Sequence, residues 1–447
     1  MTRLIAWLGD DFTGAAAVME ALAFAGLPAV LFLDPPTPDQ IATFPADASI
    51  GIASMARTQS PDWMEANLPD LFSVLRGTGA ALLHYKVCST LDSAPHIGSI
   101  GRAMEIGAQM TGAQVVPIVV AAPQMRRYQA FGHLFAGAPQ GVFRLDRHPV
   151  MANHPVTPMA ESDVAAHLAR QTDMPVGCLD LEMLHDPVAA ARAFTDGPTA
   201  RGLTCDMMGP SDEAAVGTLI WTHRGENPFV VGSQGVEYAL IAHLQATGAL
   251  DPAPRVASAG RVNRMAVVSG SVSGITADQI GWAAQHGFAT IPFAAEAVCS
   301  DPATLADTEA RCLAVALAAL DRGQVPLIQS AAGPQDAGIA RLTQAAAGRD
   351  MTQVNDAIGK SLGRMLRALV DRARLTRVVA SGGDTSGHVT RALDVFALTA
   401  LAPTIPGAAL CKAHAMGATH GLEVALKGGQ MGSADYFGWI RDGGGAR

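Results

Sequence analysis

Two adjacent carboxylates, Asp10 and Asp11, stand between an apolar run and a helix-like stretch near the start of this sequence. Carboxylates in such a position can orient a hydroxyl group, accept its proton or hold a magnesium ion. The structural alternative is that Asp11 or Thr13 caps the helix that follows. Two acids in succession are more than a cap requires, so the pair is a candidate for chemistry.

Only a few lysine and arginine side chains are placed where they could bind a carboxylate or a phosphate. Lys86 ends an apolar run, and Ser89 in the loop behind it offers a hydroxyl contact. From this segment alone, a lysine that lies along the surface with its head in water is an equally good interpretation. Arg57, Arg126 and Arg127 could clamp a carboxylate, although a single arginine is more often a solvated charge.

Two glycine- and serine-rich turns in the second half of the chain are candidates for binding phosphate. Each lies between an apolar run and a helix-like stretch, where backbone N–H groups are free to bind anions. The turn at 269–274 matches neither Walker A nor G-x-G-x-x-G, and a tight structural turn explains it equally well. The turn at 381–387 adds paired glycines and an acid, Asp384, that can reach a metal or a hydroxyl. The segment 426–432 has the same character.

The elements that position these loops follow from the apolar pattern. Short apolar runs alternate with amphipathic stretches, which predicts an α/β fold of two doubly wound domains with mainly parallel sheets. The expected strands include 4–8, 28–33, 49–53, 80–87, 115–121, 202–205, 229–231, 265–269, 326–329 and 377–380. The expected helices include 13–25, 276–286 and 354–369. Ligands bind at the carboxyl ends of strands in such sheets, where all the candidate loops lie.

Proline and glycine accumulate at 246–255 while the apolar periodicity lapses, which is typical of a linker. We therefore predict two domains, 1–255 and 256–447. A length of 447 residues with 49% hydrophobic and 16% charged residues fits a globular protein of two or three domains. The apolar run near the N-terminus is too short to be the core of a signal peptide, and no apolar run reaches the length of a membrane span. We expect a cytoplasmic protein.

Composition excludes several function classes. The formal net charge of −9, without a long basic run, argues against nucleic acid and membrane surfaces as partners. Six scattered cysteines and thirteen histidines show no C-x-x-C pair and no helical H-x-x-x-H pair, so a disulfide framework or a zinc site is not expected. The absence of G-x-S-x-G argues against an α/β-hydrolase.

Taken together, the loops resemble those of the four-carbon acid sugar kinase family. The family's G-D-D-x-T-G-A reads GDDFTGA at Gly9–Ala15, and its G-S-x-S-x-x-T-x-x-Q reads GSVSGITADQ at Gly270–Gln279. Its G-G-E-T-S reads GGDTS at Gly382–Ser386, and its K-S-G-N-F-G reads KGGQMG at Lys427–Gly432. Order and approximate spacing match over nearly the whole chain.

The resemblance implies an ATP-dependent kinase that phosphorylates a small sugar acid. It implies an N-terminal substrate domain, a C-terminal nucleotide domain, a site in the cleft between them, and ATP with Mg²⁺ as cofactors. The residues it points to are Asp10 and Asp11 for catalysis; Arg57, Lys86, Ser89 and Arg127 for the acid; and Ser271, Ser273, Gly382, Gly383, Asp384, Thr385 and Gly429 for the nucleotide. The metal ligands, the general base and the oligomeric state, with a homodimer as one option, stay open.

The sequence departs from the family pattern in the substrate half. Family members follow the lysine with D-S-T-L-R-G-N, whereas Lys86 is followed by VCSTLDSAPHIGSIG, so Cys88 replaces an acid and Asp92 or Ser93 replaces an arginine. The family's G-R-x-x-x-x-G segment corresponds to 126–132. Replacing a cation by an acceptor changes which anion is recognised. We expect a subgroup that serves a branched acid such as 3-oxo-isoapionate and acts weakly on linear tetronates.

Two other functions compete with the kinase. A metal-dependent hydrolase or phosphatase could use Asp10 and Asp11, but it leaves the glycine-rich turns of the second half unexplained. A non-catalytic sugar-acid-binding protein fits the altered loop after Lys86, but not the intact motifs at 9–15 and 382–386. Release of ADP only in the presence of a sugar acid distinguishes the kinase from both.

Overall fold

A computed structural model describes residues 3–154, 156–195 and 201–446. The chain divides into two compact units, Met1–Pro254 and Arg255–Arg447. Each unit combines a mainly parallel β-sheet with helices, so the predicted α/β fold class is confirmed. No helix within the described residues is both long and apolar enough to cross a membrane.

The first unit is built on a sheet of eight parallel strands. Its strands are β1 Ile5–Gly9, β2 Ala29–Phe32, β3 Ser49–Ala53, β4 Leu82–Lys86, β5 Val115–Val119, β9 Val176–Leu179, β10 Arg201–Cys205 and β11 Phe229–Gly232, with β6 Arg127–Ala130, β7 His133–Ala138 and β8 Gly141–Arg144 in a separate antiparallel sheet. Its helices are α1 Phe12–Phe24, α2 Pro38–Ala42, α3 Pro61–Arg76, α4 Ile100–Thr111, α5 Val164–Leu168, α6 Leu181–Leu184, α7 Pro187–Thr195, α8 Pro210–His223 and α9 Gly235–Ala246.

The strand order in this unit is β2-β3-β1-β4-β11-β5-β10-β9. The central strands β1, β4 and β5 are buried along their whole length, as expected of strands covered on both faces. The chain leaves β1 to one side through β2 and β3 and then crosses to β4 on the other side. Since β3, β1 and β4 are neighbours and parallel, the loops at their carboxyl ends meet at one edge of the sheet.

The second unit has seven strands in the order β13-β14-β12-β15-β18-β17-β16. They are β12 Ala266–Ser269, β13 Phe288–Pro292, β14 Val325–Gln329, β15 Arg377–Ser381, β16 Val395–Ala402, β17 Leu410–Ala415 and β18 Glu423–Lys427. Its helices are α10 Gly274–Ala284, α11 Pro302–Asp321, α12 Ala337–Ala345, α13 Met351–Ala373, α14 Gly383–Ala392 and α15 Tyr436–Arg441. Here β12, β15 and β18 are parallel neighbours, so their carboxyl-terminal loops also converge.

Strong periodicity gave accurate predictions, and weak periodicity did not. Helix α13 buries Val354, Ile358, Leu362, Met365, Leu366 and Leu369, which is the apolar face that the sequence predicts. The predicted helices at 13–25 and 276–286 are also present within two residues at each end. The antiparallel strands β6–β8 and β16–β17 were not predicted. Strands β6 and β8 are short, half-exposed segments without a continuous apolar run, whereas β16 is an apolar run of eight residues that was not recognised as a strand.

Candidate functional site

In the first unit, the two acids and an arginine form one ion-pair cluster at the carboxyl ends of β1 and β3. The Arg57 guanidinium donates to both oxygens of Asp10, at 2.6 and 3.1 Å, and to both oxygens of Asp11, at 2.8 Å each. The side chain of Asp10 is 2% exposed and that of Asp11 is 29% exposed. One cation therefore holds both carboxylates, and Asp11 is the one that remains accessible.

Asp11 is also the N-cap of α1, because its Oδ1 accepts a hydrogen bond from the Gly14 backbone N–H at 2.8 Å. The capping interpretation is therefore correct, but it is incomplete. A carboxylate has about four acceptor positions. Two bonds from Arg57 and one from Gly14 occupy three of them, two on Oδ1 and one on Oδ2. Asp11 can thus cap the helix and still accept one hydroxyl.

Lys86 ends β4 beside this cluster and is 2% exposed. Its Nζ donates to the Val87 carbonyl at 2.6 Å, and it forms no ion pair with any acid in the described part of the chain. A Cβ atom placed on Gly14 would lie 2.9 Å from Lys86 Nζ and 2.5 Å from Asp11 Oδ1. Glycine at position 14 is therefore what allows the first turn of α1 to approach both charges.

Burial dominates the electrostatics of the cluster. It raises the pKa of Asp10 above its ordinary value, while the nearby Arg57 guanidinium opposes the rise. Burial alone would lower the pKa of Arg57, but Asp10, Cys88 and Asp11 together outweigh it and raise the pKa well above its ordinary value. Arg57 therefore stays charged, and Asp10 is a more basic carboxylate than an exposed aspartate.

The loop after β4 carries a polar chain. The Cys88 thiol lies 3.0 Å from Thr90 Oγ1, which donates to Asp92 Oδ1 at 2.9 Å. Burial raises the pKa of Cys88, and the Asp92 carboxylate adds to the rise, so the thiol is the donor at its end. Leu91 between them is fully buried with φ of 54°, a left-handed conformation that costs about 1–3 kcal/mol for a residue with a side chain. Ser89 is buried in the same loop.

Arg127 begins β6 and is half-buried, and no acid among the described residues pairs with it. Its Nη1 donates to three backbone carbonyls at 3.2, 3.3 and 3.4 Å, whereas its Nε is buried without a hydrogen-bond partner. Burial lowers the pKa of Arg127, and the Cys88 and Asp92 groups oppose that shift. The guanidinium therefore lies within electrostatic reach of the loop after β4.

In the second unit, the three loops after β12, β15 and β18 interlock. Ser273 caps α10, and both Ser273 and Thr276 donate side-chain hydrogen bonds to the Gly429 carbonyl. A Cβ atom on Gly429 would lie 2.4 Å from Ser271 Oγ. Gly382 adopts φ of 120°, a conformation open chiefly to glycine. The close approaches of these loops depend on their glycines, as expected of a backbone cradle for an anion.

The structure thus brings together the residues predicted to bind the nucleotide. Thr385 Oγ1 would lie 2.2 Å from a Cβ on Gly270, which joins the loop after β15 to the loop after β12. Gly383 is exposed and has open space around it. Asp384 and Thr385 line a cavity of about 220 Å³, whose other walls include Val272, Ile339, Leu342, Asn355 and Ile358. The cavity is a slot beside the cradle whose walls are of mixed polar and apolar character.

Lys427 is a site residue that the sequence analysis quoted within a motif but did not assign. It ends β18, is 1% exposed, and donates to Gly428 O at 3.0 Å and Thr276 Oγ1 at 3.3 Å. No acid of the described residues pairs with it, and burial lowers its pKa to about 8. The sequence offered one signal for Lys427, which is its position: like Lys86, it is the last residue of a buried strand. An unpaired buried cation beneath a glycine cradle calls for an anionic ligand.

The described residues contain no group of three or more histidine, cysteine or acidic side chains that could hold a metal ion on their own. Asp384, in the first turn of α14, and Asp435, at the end of the loop after β18, are the acids at the three loops of the cradle. This donor set does not form a closed protein cage. It fits Mg²⁺, which is commonly held by one or two carboxylates together with phosphate oxygens and water.

Comparison with known proteins assigns a description to each half. Residues 5–240 match the family model of a sugar-binding N-terminal domain, and residues 266–437 match that of a nucleotide-binding C-terminal domain. The first range contains the Asp10–Asp11–Arg57 cluster. The second contains the glycine cradle.

The chain is 42% identical to a protein of Paraburkholderia graminis named 3-oxo-isoapionate kinase, over 98% of this chain and 94% of that protein. It is 30% identical to a protein of Methylobacterium radiotolerans named 3-oxo-tetronate kinase, over 99% of both chains. A crystal structure of a Haemophilus influenzae protein shares the fold, with a TM-score of 0.75 at 21% identity over 98% of this chain and 99% of the other.

Proposed function

This chain belongs to the four-carbon acid sugar kinase family, and from that premise we propose that it transfers the γ-phosphoryl group of ATP to a hydroxyl of 3-oxo-isoapionate or a closely similar branched oxo acid. The general function is that of a sugar-acid kinase. The observation that carries the choice of acid is the higher identity to a 3-oxo-isoapionate kinase, at 42%, than to a 3-oxo-tetronate kinase, at 30%. The loop after β4, in which Cys88 and Asp92 replace the family's acid and cation, supports the same choice.

The glycine cradle suits the phosphates of the nucleotide. Backbone N–H groups at the starts of α10 and α14 and the hydroxyl of Ser271 offer donors, and Lys427 supplies a positive charge. The slot lined by Val272, Ile339 and Leu342 is apolar enough to accept a purine ring beside them. These features support ATP as the phosphoryl donor.

Magnesium fits this arrangement through Asp384 and the phosphates together. When bound, Mg²⁺ supplies charge neutralisation at the phosphate oxygens. The protein's own contribution at that point is the exposed carboxylate of Asp384.

In the acceptor half, we assign Asp11 to orienting the reacting hydroxyl, since Oδ2 keeps a free acceptor position and the side chain is 29% exposed. Asp10 holds Arg57 in place. Lys86 Nζ approaches Gly14 on the same side as Asp11 Oδ1 and balances charge near the hydroxyl. Phosphoryl transfer requires mainly such positioning and charge neutralisation.

A screen for ADP release tests this function. We expect turnover only when a sugar acid is present, with kcat/KM for 3-oxo-isoapionate at least tenfold above that for 3-oxo-tetronate and simple linear tetronates. A coupled assay across four-carbon, branched and oxo acids, with Mg²⁺ and ATP, measures this ratio. ADP release that is independent of the acid would indicate a hydrolase. A best rate with a linear four-carbon acid would contradict the branched substrate.

Gly383→Val tests the position of the phosphates. Gly383 has open space for a side chain in the free protein, so the variant should fold normally, but its side chain would occupy the space in front of the cradle. We expect ADP with Mg²⁺ to raise the melting temperature of the wild type, since a ligand bound at 100 times its Kd contributes about 2.7 kcal/mol. The variant should lose that rise.

Gly281→Val is the matched control for this experiment. Gly281 lies within α10, is exposed and also has open space for a Cβ atom. Its replacement introduces the same side chain into the same unit and should leave the nucleotide-dependent rise in melting temperature intact. An undiminished rise in a folded Gly383→Val protein would place the phosphates elsewhere.

A further inference from the structure

The first unit holds three cations that could receive the carboxylate of a sugar acid, namely Arg57, Lys86 and Arg127. Resting on the proposed function, we propose that Arg127 anchors the substrate carboxylate, while Lys86 serves the hydroxyl end of the site. The choice of Arg127 follows from comparing the three cations by the hydrogen-bond and ion-pair partners that each already has. It sets the direction in which the acid lies between the loop after β4 and the start of α1.

Arg57 already uses four of its five N–H donors. Its Nε, Nη1 and Nη2 make four hydrogen bonds to the carboxylates of Asp10 and Asp11. A third carboxylate at this guanidinium would add negative charge to a site that already holds two. Two carboxylates that share one site repel each other strongly enough to raise a pKa. Arg57 therefore organises the acids and is not free to bind the substrate carboxylate.

Lys86 has a free ammonium but stands in the wrong electrostatic setting. Its Nζ lies against Gly14, on the side of that residue where Asp11 Oδ1 also approaches. A substrate carboxylate bound there would lie close to two protein carboxylates, whereas a hydroxyl would not be repelled. A compact ammonium with three donors also suits single oxygens better than the planar, two-oxygen contact of a carboxylate. Lys86 therefore matches the reacting hydroxyl or the phosphoryl group.

Arg127 has the opposite properties. Its Nε is buried without a hydrogen-bond partner, and only Nη1 is bonded, to backbone carbonyls at 3.2, 3.3 and 3.4 Å. Nη2 makes no hydrogen bond within the described residues, so it can donate to a carboxylate oxygen in a charge-assisted bond, whereas Nε behind it is enclosed by the protein.

We place the hydrogen-bonded side chains of the loop after β4 between the carboxylate end of the substrate site, at Arg127, and its hydroxyl end, at Lys86. Cys88 donates to Thr90, and Thr90 donates to Asp92, so the free acceptor capacity is on the Asp92 carboxylate. Asp92 is near enough to Arg127 to affect its electrostatics, as is Cys88. A hydroxyl next to the substrate carboxylate would donate to Asp92 while the carboxylate binds Arg127. The ligand class is therefore an acid that carries a hydroxyl donor beside its carboxylate.

Arg127→Gln tests the anchor with two ligands, the best acid of the ADP-release screen and the carboxamide of that acid. We expect kcat/KM for the acid to fall about tenfold to a hundredfold, mainly through KM, and kcat/KM for the neutral carboxamide to change little. The wild-type preference for the charged ligand should therefore disappear. Lys86→Met should lower kcat for both ligands and leave that preference in place.

Arg126→Gln is the matched control, because Arg126 is exposed and donates only to the carbonyls of Ala138 and Gly141 at 3.1 and 3.3 Å. It should keep wild-type kinetics. Arg127→Lys, which retains the charge, should recover part of the preference and shows that loss in Arg127→Gln is not misfolding. A preference that survives Arg127→Gln, or that disappears in Lys86→Met, overturns the anchor.

Calorimetric binding of the acid without nucleotide separates this proposal from the kinase assignment. If the wild type binds the acid and Arg127→Gln does not, the anchor stands even when no acid supports ADP release, and the proposed function fails alone. If ADP release is normal but binding of the acid is equal in the two proteins, the anchor fails alone.

Discussion

Replacing Asp11 with asparagine is expected to lower kcat by about two to four orders of magnitude and to leave the affinity for nucleotide unchanged. The carboxylate has a free acceptor position on Oδ2 and is the accessible member of the acid pair. Asparagine keeps a carbonyl oxygen that can accept the Gly14 N–H bond, but it cannot take a proton. The variant therefore removes the basic group without removing the acceptor at the helix start.

This substitution also separates the two roles of Asp11. Asparagine is about as good an N-cap as aspartate, so a residue that only capped α1 would tolerate the change. Steady-state kinetics with the best acid, together with a melting curve, measure both properties. A folded Asp11→Asn enzyme with near wild-type kcat would leave the cap as the sole role of this residue.

Asp10→Asn is a useful comparison because the partner acid is buried. Its loss leaves the buried Arg57 with one carboxylate instead of two, so we expect a lower melting temperature as well as lower turnover. Asp11→Asn should change the melting temperature less, since its side chain is 29% exposed. The pair of variants thus assigns chemistry to Asp11 and positioning to Asp10.

Much of the fold could be predicted because its strands are continuous apolar runs. Strands β1, β3 and β4 and helix α13 lie within two or three residues of their predicted bounds in most cases. Their carboxyl ends are fixed by topology, so loops distant in sequence could be placed at the same sheet edge. Strands β6–β8 could not be predicted, because half-exposed antiparallel strands carry polar residues and short runs.

The residue types of the site could be predicted from the sequence, but the contacts between these residues could not. Sequence analysis placed Arg57 among the substrate ligands, and no pattern indicates that it spans both Asp10 and Asp11 across more than 45 positions. The strained conformation of Leu91 and the unpaired Nε of Arg127 depend on tertiary packing, which has no local signature. The assignment of Arg57, Lys86, Ser89 and Arg127 to the substrate stays a prediction.

Lys427→Met is expected to weaken the binding of ADP with Mg²⁺ by about tenfold to a hundredfold at pH 7.5. Lys427 is a buried cation that has no acidic partner among the described residues and contacts the Thr276 hydroxyl beneath the glycine cradle. A charge-assisted bond to a phosphate oxygen is about twice as strong as a neutral one. Methionine has a similar length and no charge, so the variant removes the cation and keeps most of the packing.

The pH dependence of binding distinguishes a phosphate ligand from a structural lysine. Burial lowers the pKa of Lys427 to about 8. Below that pH the ammonium is charged and the Kd should be flat, whereas above it binding must first add a proton. The wild-type Kd is then expected to rise by as much as about tenfold per pH unit between pH 8 and 9.5. Lys427→Met should show no such rise in calorimetric titrations.

The stability of the free protein gives an independent check on Lys427. Stability should rise with pH over the range in which nucleotide binding weakens. The folded pKa of about 8 lies below the unfolded value near 10.5, so between these values the unfolded chain binds more protons and stability rises with pH. At pH 7 the wild type bears the full cost of a buried, unpaired ammonium, and Lys427→Met does not. The variant should therefore be at least as stable as the wild type at pH 7 while binding ADP more weakly. Equal ADP affinity in the two proteins, or a Kd that is flat to pH 9.5 in the wild type, would remove Lys427 from the phosphate site.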